Sequence, residues 1–139
     1  MNRTILTFAL FVFAPPARSD DENKHPIDAK VAAIFDKAQS TAAMIDAADK
    51  ALKLWDAELN RCYGELKKKL KPDAFAALQA SQRQWLVFRD AQLKFIGEFY
   101  GQFDGTMYRP MAAHAVMEVT RTRAIELHRR LGILREHGG

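Results

Sequence analysis

The chain has 139 residues, of which 48% are hydrophobic and 27% charged, and it carries a formal net charge of +4. That is enough chain for one domain around a single core, and too much apolar content for a disordered polypeptide. Its one cysteine, Cys62, excludes an internal disulfide, and its mixed-sign charge makes no case for a nucleic-acid partner.

The first residues predict a secretory signal. Asn2 and Arg3 form a short positive start, TILTFALFVFA over 4–14 is the apolar run, and Ala17-Arg18-Ser19 fits small-x-small cleavage after Ser19. Eleven residues are too few to span a bilayer, so the chain is not read as membrane-spanning. The expected division is a signal peptide over 1–19 and one domain over 20–139. Without Arg3 and Arg18 the net charge falls to +2, so the sequence pI of 9.3 overstates the attraction for anionic partners. Residues 20–25 are polar and read as a loose tail.

Four helices are predicted. Pro26 and Asp28 open the first, over 28–39, with Asp28 as its cap and Val31, Ile34, Phe35 and Ala38 inward. Ser40 or Thr41 caps the second, which runs to Leu70. Its apolar stripe is Leu52, Trp55, Leu59, Cys62, Leu66 and Leu70, continued backwards by Met44, Ala48 and Ala51. Asp56, Asn60 and Tyr63 edge that stripe at i, i+4 and i+7. Lys71-Pro72-Asp73 breaks the chain, with Asp73 as the next cap. The third helix, over 73–101, directs Phe75, Leu78, Trp85, Leu93, Ile96 and Phe99, with Phe103 beyond it, to one side. A short connection between long helices implies an antiparallel pair. Residues 101–108, GQFDGTMY, form a turn, and Thr106 caps a fourth helix to about residue 134. Its stripe is Ala113, Val116, Met117, Thr120, Ala124, Leu127 and Leu131. The expected fold is thus all-α: an antiparallel bundle of three long helices plus one short N-terminal helix.

Gln82 and Arg89 fall within the apolar stripe of the third helix, flanking Trp85. A guanidinium cannot shed its charge there and needs an acceptor. The expected partner of Arg89 is the polar edge of the second helix, Asp56 above Asn60 or Asp49.

Three segments carry a resemblance: WDAELNRCY from Trp55 to Tyr63, SQRQWLVFRD from Ser81 to Asp90, and RTRAIEL from Arg121 to Leu127. They resemble the D-x-x-LN-x-x-Y, Q-x-x-W-x-x-(F/Y)-RD and late R-x-x-x-L helices of the LprI-type lysozyme-inhibitor family. QSTAAM, from Gln39 to Met44, is similar to that family's early T-x-x-M segment. The resemblance implies a small exported all-α domain that binds a lysozyme and performs no chemistry. It makes Trp55, Asp56, Asn60, Tyr63, Gln82, Trp85, Arg89 and Asp90 a structural motif. The paired cysteines common in relatives have no counterpart here, since Ala91-Gln92-Leu93 follow Asp90.

Other constellations are weaker. His114 and Glu118 sit at i, i+4 but have no third ligand in register. His25, His128 and His137 are scattered. Cys62 lies on a core stripe and reads as an inert thiol. Lys67-Lys68-Lys69, with Lys71, closes the second helix where cations complement the helix dipole. No catalytic set, metal site or cofactor site is expected. The turn offers Phe103, Asp104, Met107, Tyr108 and Arg109 as a partner-binding loop, aromatics beside arginine being common interface anchors. The same residues could instead plug the end of the core. Two functions follow: a periplasmic or secreted lysozyme inhibitor acting by steric occlusion, or an envelope-associated structural or interaction module with another partner. Oligomeric state is left open.

Overall fold

The computed structural model describes residues 24–137. The signal peptide expected over 1–19, and the tail glycines Gly138 and Gly139, lie outside the described residues. Four helices account for nearly all of the described chain, which contains no strand: α1 (Pro26–Phe35), α2 (Thr41–Lys69), α3 (Pro72–Gly101) and α4 (Tyr108–His137). No helix among the described residues is long and apolar enough to cross a membrane.

Local chemistry explains most of the boundaries. Ser40 caps α2 by accepting from the Ala43 N–H at 3.1 Å. The cap of α1 is His25, not Asp28: the Ile27 N–H donates to His25 Nδ1 at 3.2 Å, and Asp28 Oδ2 accepts from the His25 N–H at 2.8 Å. The two side chains thus take up two of the free N–H groups at the helix start, and a residue expected in a loose tail is anchored. At α3, Lys71 flanks the start and makes no side-chain cap, while Asp73 stands in the first turn near the positive helix end. Helix α4 begins at Tyr108, so Met107 rather than Thr106 precedes its first turn. Gly105 in the intervening turn has φ of 118°, which only glycine adopts readily.

The core is the seam between α2 and α4. Ala51, Trp55, Leu59, Cys62 and Leu66 from α2 pack with Met117, Ala124, Ile125, Leu127 and Leu131 from α4, and α1 lies on α2. The N-terminal ends of α2 and α4 share one groove, with Met44 beside Met111, and their C-terminal ends share another, with Leu66 beside Leu134. Helix α3 runs back along α4, from Ser81 and Gln82 at Arg123 to Tyr100 at Ala115.

This packing alters the expected role of α3. Its main neighbour is α4, and its contact with α2 is slight. Of the residues expected to face inward only Ile96 is buried, while Phe99 and Phe103 are each 41% exposed. One neighbouring helix cannot cover an apolar surface that includes Leu86, Val87 and Phe88 in succession. The side of α3 turned away from α4 is left to solvent.

The expected latch from Arg89 to α2 is absent. Arg89 donates through Nη2 and Nε to its neighbour Asp90, at 2.8 and 3.1 Å, and its guanidinium lies 5.6 Å from the Trp85 ring centroid. The polar edge of α2 is satisfied internally, by a 3.2 Å bond from Asn60 to Asp56. Among the described residues the buried cation is Arg123, on the face of α4 turned toward α3. It donates to Gln82 Oε1 at 3.1 Å, Ser81 Oγ at 3.0 Å and Glu126 Oε2 at 2.8 Å. Arg123 follows Thr120 by three and precedes Leu127 by four, so its position on the buried stripe was visible in the spacing.

Candidate functional surface and buried polar cluster

The turn residues lie at one end of the molecule with a row of rings beside them. Phe95 meets Phe99 at 5.8 Å between centroids, Phe99 meets Phe103 edge-on at 5.5 Å, and Phe103 stacks on Tyr108 at 4.9 Å. Met107 is 61% exposed, and Asp104 and Arg109 are also exposed. Phe103 and Met107 therefore do not plug the core. Grooves open on either side of Tyr100: one of about 660 Å³ between α3 and α4, and one of about 880 Å³ reaching Phe35 and Met44. Glu118 and Glu126 stand on the wall of the first groove.

The two central sequence motifs meet elsewhere. Asp56, Asn60 and Tyr63 from α2 and Gln82, Trp85 and Arg89 from α3 line one cleft of about 400 Å³. Tyr63 reaches across to Phe75, with centroids 5.9 Å apart. Trp55 does not share this cleft. It is fully buried, and its Nε1 has no hydrogen-bond partner among the described residues. Asp90 sits exposed beside Arg89.

Arg121 of the third motif organises the opposite side of α2. Its Nε donates to Asp28 Oδ1 at 2.9 Å and its guanidinium covers the Trp55 ring at 5.4 Å. Burial would raise the Asp28 pKa, but the Arg121 bond and the His25 N–H outweigh it and hold the carboxyl below its ordinary value.

Next to this pair lies a cluster that the linear sequence conceals. His25 Nε2 is 3.1 Å from Glu58 Oε1, His128 Nδ1 is 3.0 Å from the same oxygen, and the two ring nitrogens are 3.2 Å apart. Far from being scattered, these two histidines converge on one carboxylate. Arg61 clasps Glu58 with Nε to Oε2 at 2.8 Å and Nη2 to Oε1 at 2.7 Å. That bond, aided by His128 and Cys62 and opposed by burial, holds the Glu58 pKa down to about 2. Burial, then the nearby His128, lowers the pKa of His25 against the pull of Glu58. The Cys62 thiol donates to Glu58 Oε1 at 3.3 Å, and burial together with that carboxylate pushes it up to about 12. A thiol so far from ionisation is no nucleophile at neutral pH, as its place on the stripe suggested. His114 and Glu118 have separate partners, Phe35 and Arg121, and do not form a pair.

Comparison with known proteins gives the chain a context. Residues 35–127 match the family model described as lysozyme inhibitor LprI. The crystal structure of an uncharacterised protein from Burkholderia thailandensis is similar, with a TM-score of 0.75 and 29% sequence identity over 81% of this chain. The chain spans 57% of that protein's length. No curated protein matches it.

Proposed function

Because the chain belongs to the LprI lysozyme-inhibitor family, we propose that it is an exported, non-catalytic protein that inhibits a lysozyme. The leader over 1–19 would direct it to the periplasm or the exterior, where the family's target acts. Inhibition would be steric. The ring cluster Phe95, Phe99, Phe103 and Tyr108, with Met107, Asp104 and Arg109 beside it, would occupy the glycosidase cleft. The contiguity of three exposed rings, Phe95, Phe99 and Phe103, with the half-buried Tyr108 at one end of the molecule is the observation that carries this assignment. At a net charge of +2 the processed chain gains no long-range steering toward a basic enzyme. Affinity then rests on local contacts, with ring anchors at the centre and the carboxylates Asp104, Glu118 and Glu126 at the margin. The deciding experiment is muramidase turnover with purified chain at micromolar concentration. Dose-dependent slowing that weakens in the double variant Phe103→Ala/Met107→Ala supports the assignment. No slowing across several lysozyme classes overturns it.

One observation favours the second reading, an envelope-associated interaction module. Leu86, Val87, Phe88 and Phe95 leave apolar surface exposed around α3, and such surface suits a broad contact with another envelope protein better than insertion into a cleft. Capture of an envelope protein by wild-type chain, lost in Val87→Asp/Phe88→Asp and retained in Phe103→Ala/Met107→Ala, would favour this reading.

A further inference from the structure

Glu58 Oε1 already accepts from Arg61 Nη2 at 2.7 Å and from the Cys62 thiol at 3.3 Å, so it stands as an acceptor toward the two ring nitrogens. His25 Nε2, His128 Nδ1 and Glu58 Oε1 form a nearly equilateral triangle with edges of 3.0 to 3.2 Å. No placement of protons satisfies all three edges. If both nitrogens are protonated, both N–H groups serve Oε1 but face each other across 3.2 Å. If only His25 Nε2 is protonated, the bare His128 Nδ1 presents a lone pair to the carboxylate oxygen at 3.0 Å. Exchanging the proton between rings moves the conflict to another edge. A cation that accepts all three lone pairs removes it.

From this geometry we propose that His25 Nε2, Glu58 Oε1 and His128 Nδ1 form a binding site for a divalent metal ion of the zinc class. The donor set of two imidazoles and one carboxylate is one that zinc uses in three-ligand sites, and it suits cobalt(II) as well. Tetrahedral bonds of about 2.0–2.1 Å set ligand atoms about 3.3 Å apart, close to the separations already present. The ligands come from three places in the fold, the N-cap of α1, the middle of α2 and the C-terminal half of α4, so the ion would tie the α1 cap to the central seam.

The surroundings are those of a held site. Arg61 fixes both carboxylate oxygens, with Nε on Oε2 at 2.8 Å and Nη2 on Oε1 at 2.7 Å, and the Cys62 thiol also donates to Oε1, so the ion would share that oxygen with these two donors. Asp28, itself gripped by Arg121, holds the His25 backbone N–H. Side-chain exposures of 10% for His25 and 8% for Glu58 against 38% for His128 leave the entry path beside His128. Metal at His25 Nε2 places that ring's proton on Nδ1 and gives up the bond from the Ile27 N–H. One capping bond is a small loss against three coordinate bonds to a divalent ion.

The site stands apart from the ring cluster and does not rest on the inhibitor assignment. It is tested with the full chain, stripped by chelator and dialysed against zinc chloride, with bound zinc measured per chain. Cobalt(II) serves as the spectroscopic probe, because tetrahedral coordination gives intense visible bands that the hexaaqua ion lacks. The expected result is one zinc per chain, intense cobalt bands, and a zinc-dependent rise in melting temperature. Loss of a direct ligand should cost at least the 10–100-fold that removing an outer-shell partner costs, so His128→Ala should weaken zinc binding by at least about tenfold. His128 is the least buried of the three, so this variant is the one best placed to keep its helical circular dichroism, and it decides the matter if Glu58→Gln fails to fold. His114→Ala should bind as wild type does. Absence of stoichiometric zinc at micromolar concentration, or equal affinity in folded His128→Ala, overturns the proposal.

Discussion

Truncation of Arg123 to alanine probes how the α3–α4 interface tolerates a cation. Arg123 is 7% exposed, and its guanidinium makes three side-chain bonds, to Gln82, Ser81 and Glu126. Bonds to a charged donor contribute about 1.5–3 kcal/mol each in favourable cases, but Glu126 is half exposed and loses little when released. Gln82 Oε1 and Ser81 Oγ lose their donor, and the packed aliphatic stem is lost as well. Removing one partner from a buried charged network costs about 3–5 kcal/mol, and the lower end suits a site with one exposed partner. A loss of about 3 kcal/mol corresponds to roughly 10 °C in melting temperature for a domain of this size. Urea unfolding followed by far-ultraviolet circular dichroism measures it, with an unchanged slope showing that the folded state is intact. Arg89→Ala is the internal control. Its acceptor Asp90 is an exposed chain neighbour, so the expected change is within about 0.5 kcal/mol. Equal losses in the two variants, or a larger one for Arg89→Ala, would refute the placement of the buried cation on α4.

Leu131→Ala, at a fully buried position, should cost about 2–5 kcal/mol in urea through lost burial and a residual cavity, and a cost below 1 kcal/mol would mean that α4 does not seal against α2 there. Ser40→Ala removes the acceptor for the Ala43 N–H and should cost about 1 kcal/mol, with Ser40→Thr retaining most of it. Gly105→Ala forces a side chain onto a φ of 118° and should destabilise by about 1 kcal/mol or more, an effect that thermal melts will miss only if the turn has a different backbone. The Glu58 pKa lies near 2 when folded, below its unfolded value of about 4.3. Its stabilising contribution is therefore full above that unfolded value and is lost as pH falls toward 2. In chelator, the stability gap between wild type and Glu58→Gln should narrow over that range, and a gap independent of pH would show that the carboxylate is not held in its ionised form.

The line between what was legible and what was not follows the range of the physics involved. Ser40 announced the start of α2, and Gly101 and Gly105 the turn before α4, because caps and turns are settled by a few adjacent residues. The α2 stripe through Trp55, Leu59, Cys62 and Leu66, and the α4 stripe through Met117, Thr120, Ala124, Leu127 and Leu131, were visible as periodicity and are buried. The α3 stripe was equally periodic, yet of it only Ile96 is buried, Phe75, Leu78, Trp85 and Leu93 are half-buried, and Phe99 and Phe103 are exposed. Periodicity shows that a helix has an apolar side, not that a neighbour covers it. Arg89 and Arg123 illustrate the same point, since both lie on apolar stripes and only the choice of neighbours left one beside Asp90 and buried the other.

By itself the sequence determined four helices, the Ser40 start of α2, the seam-forming stripes of α2 and α4, and the family. The tertiary structure alone decided that α3 packs on α4 with one side uncovered, and that His25, Glu58 and His128 meet. The ring nitrogens of the two histidines, 103 residues apart, stand 3.2 Å from each other. Nothing local relates them: their proximity follows from the register in which α1 and α4 settle against α2, which is set by the summed packing of the whole seam.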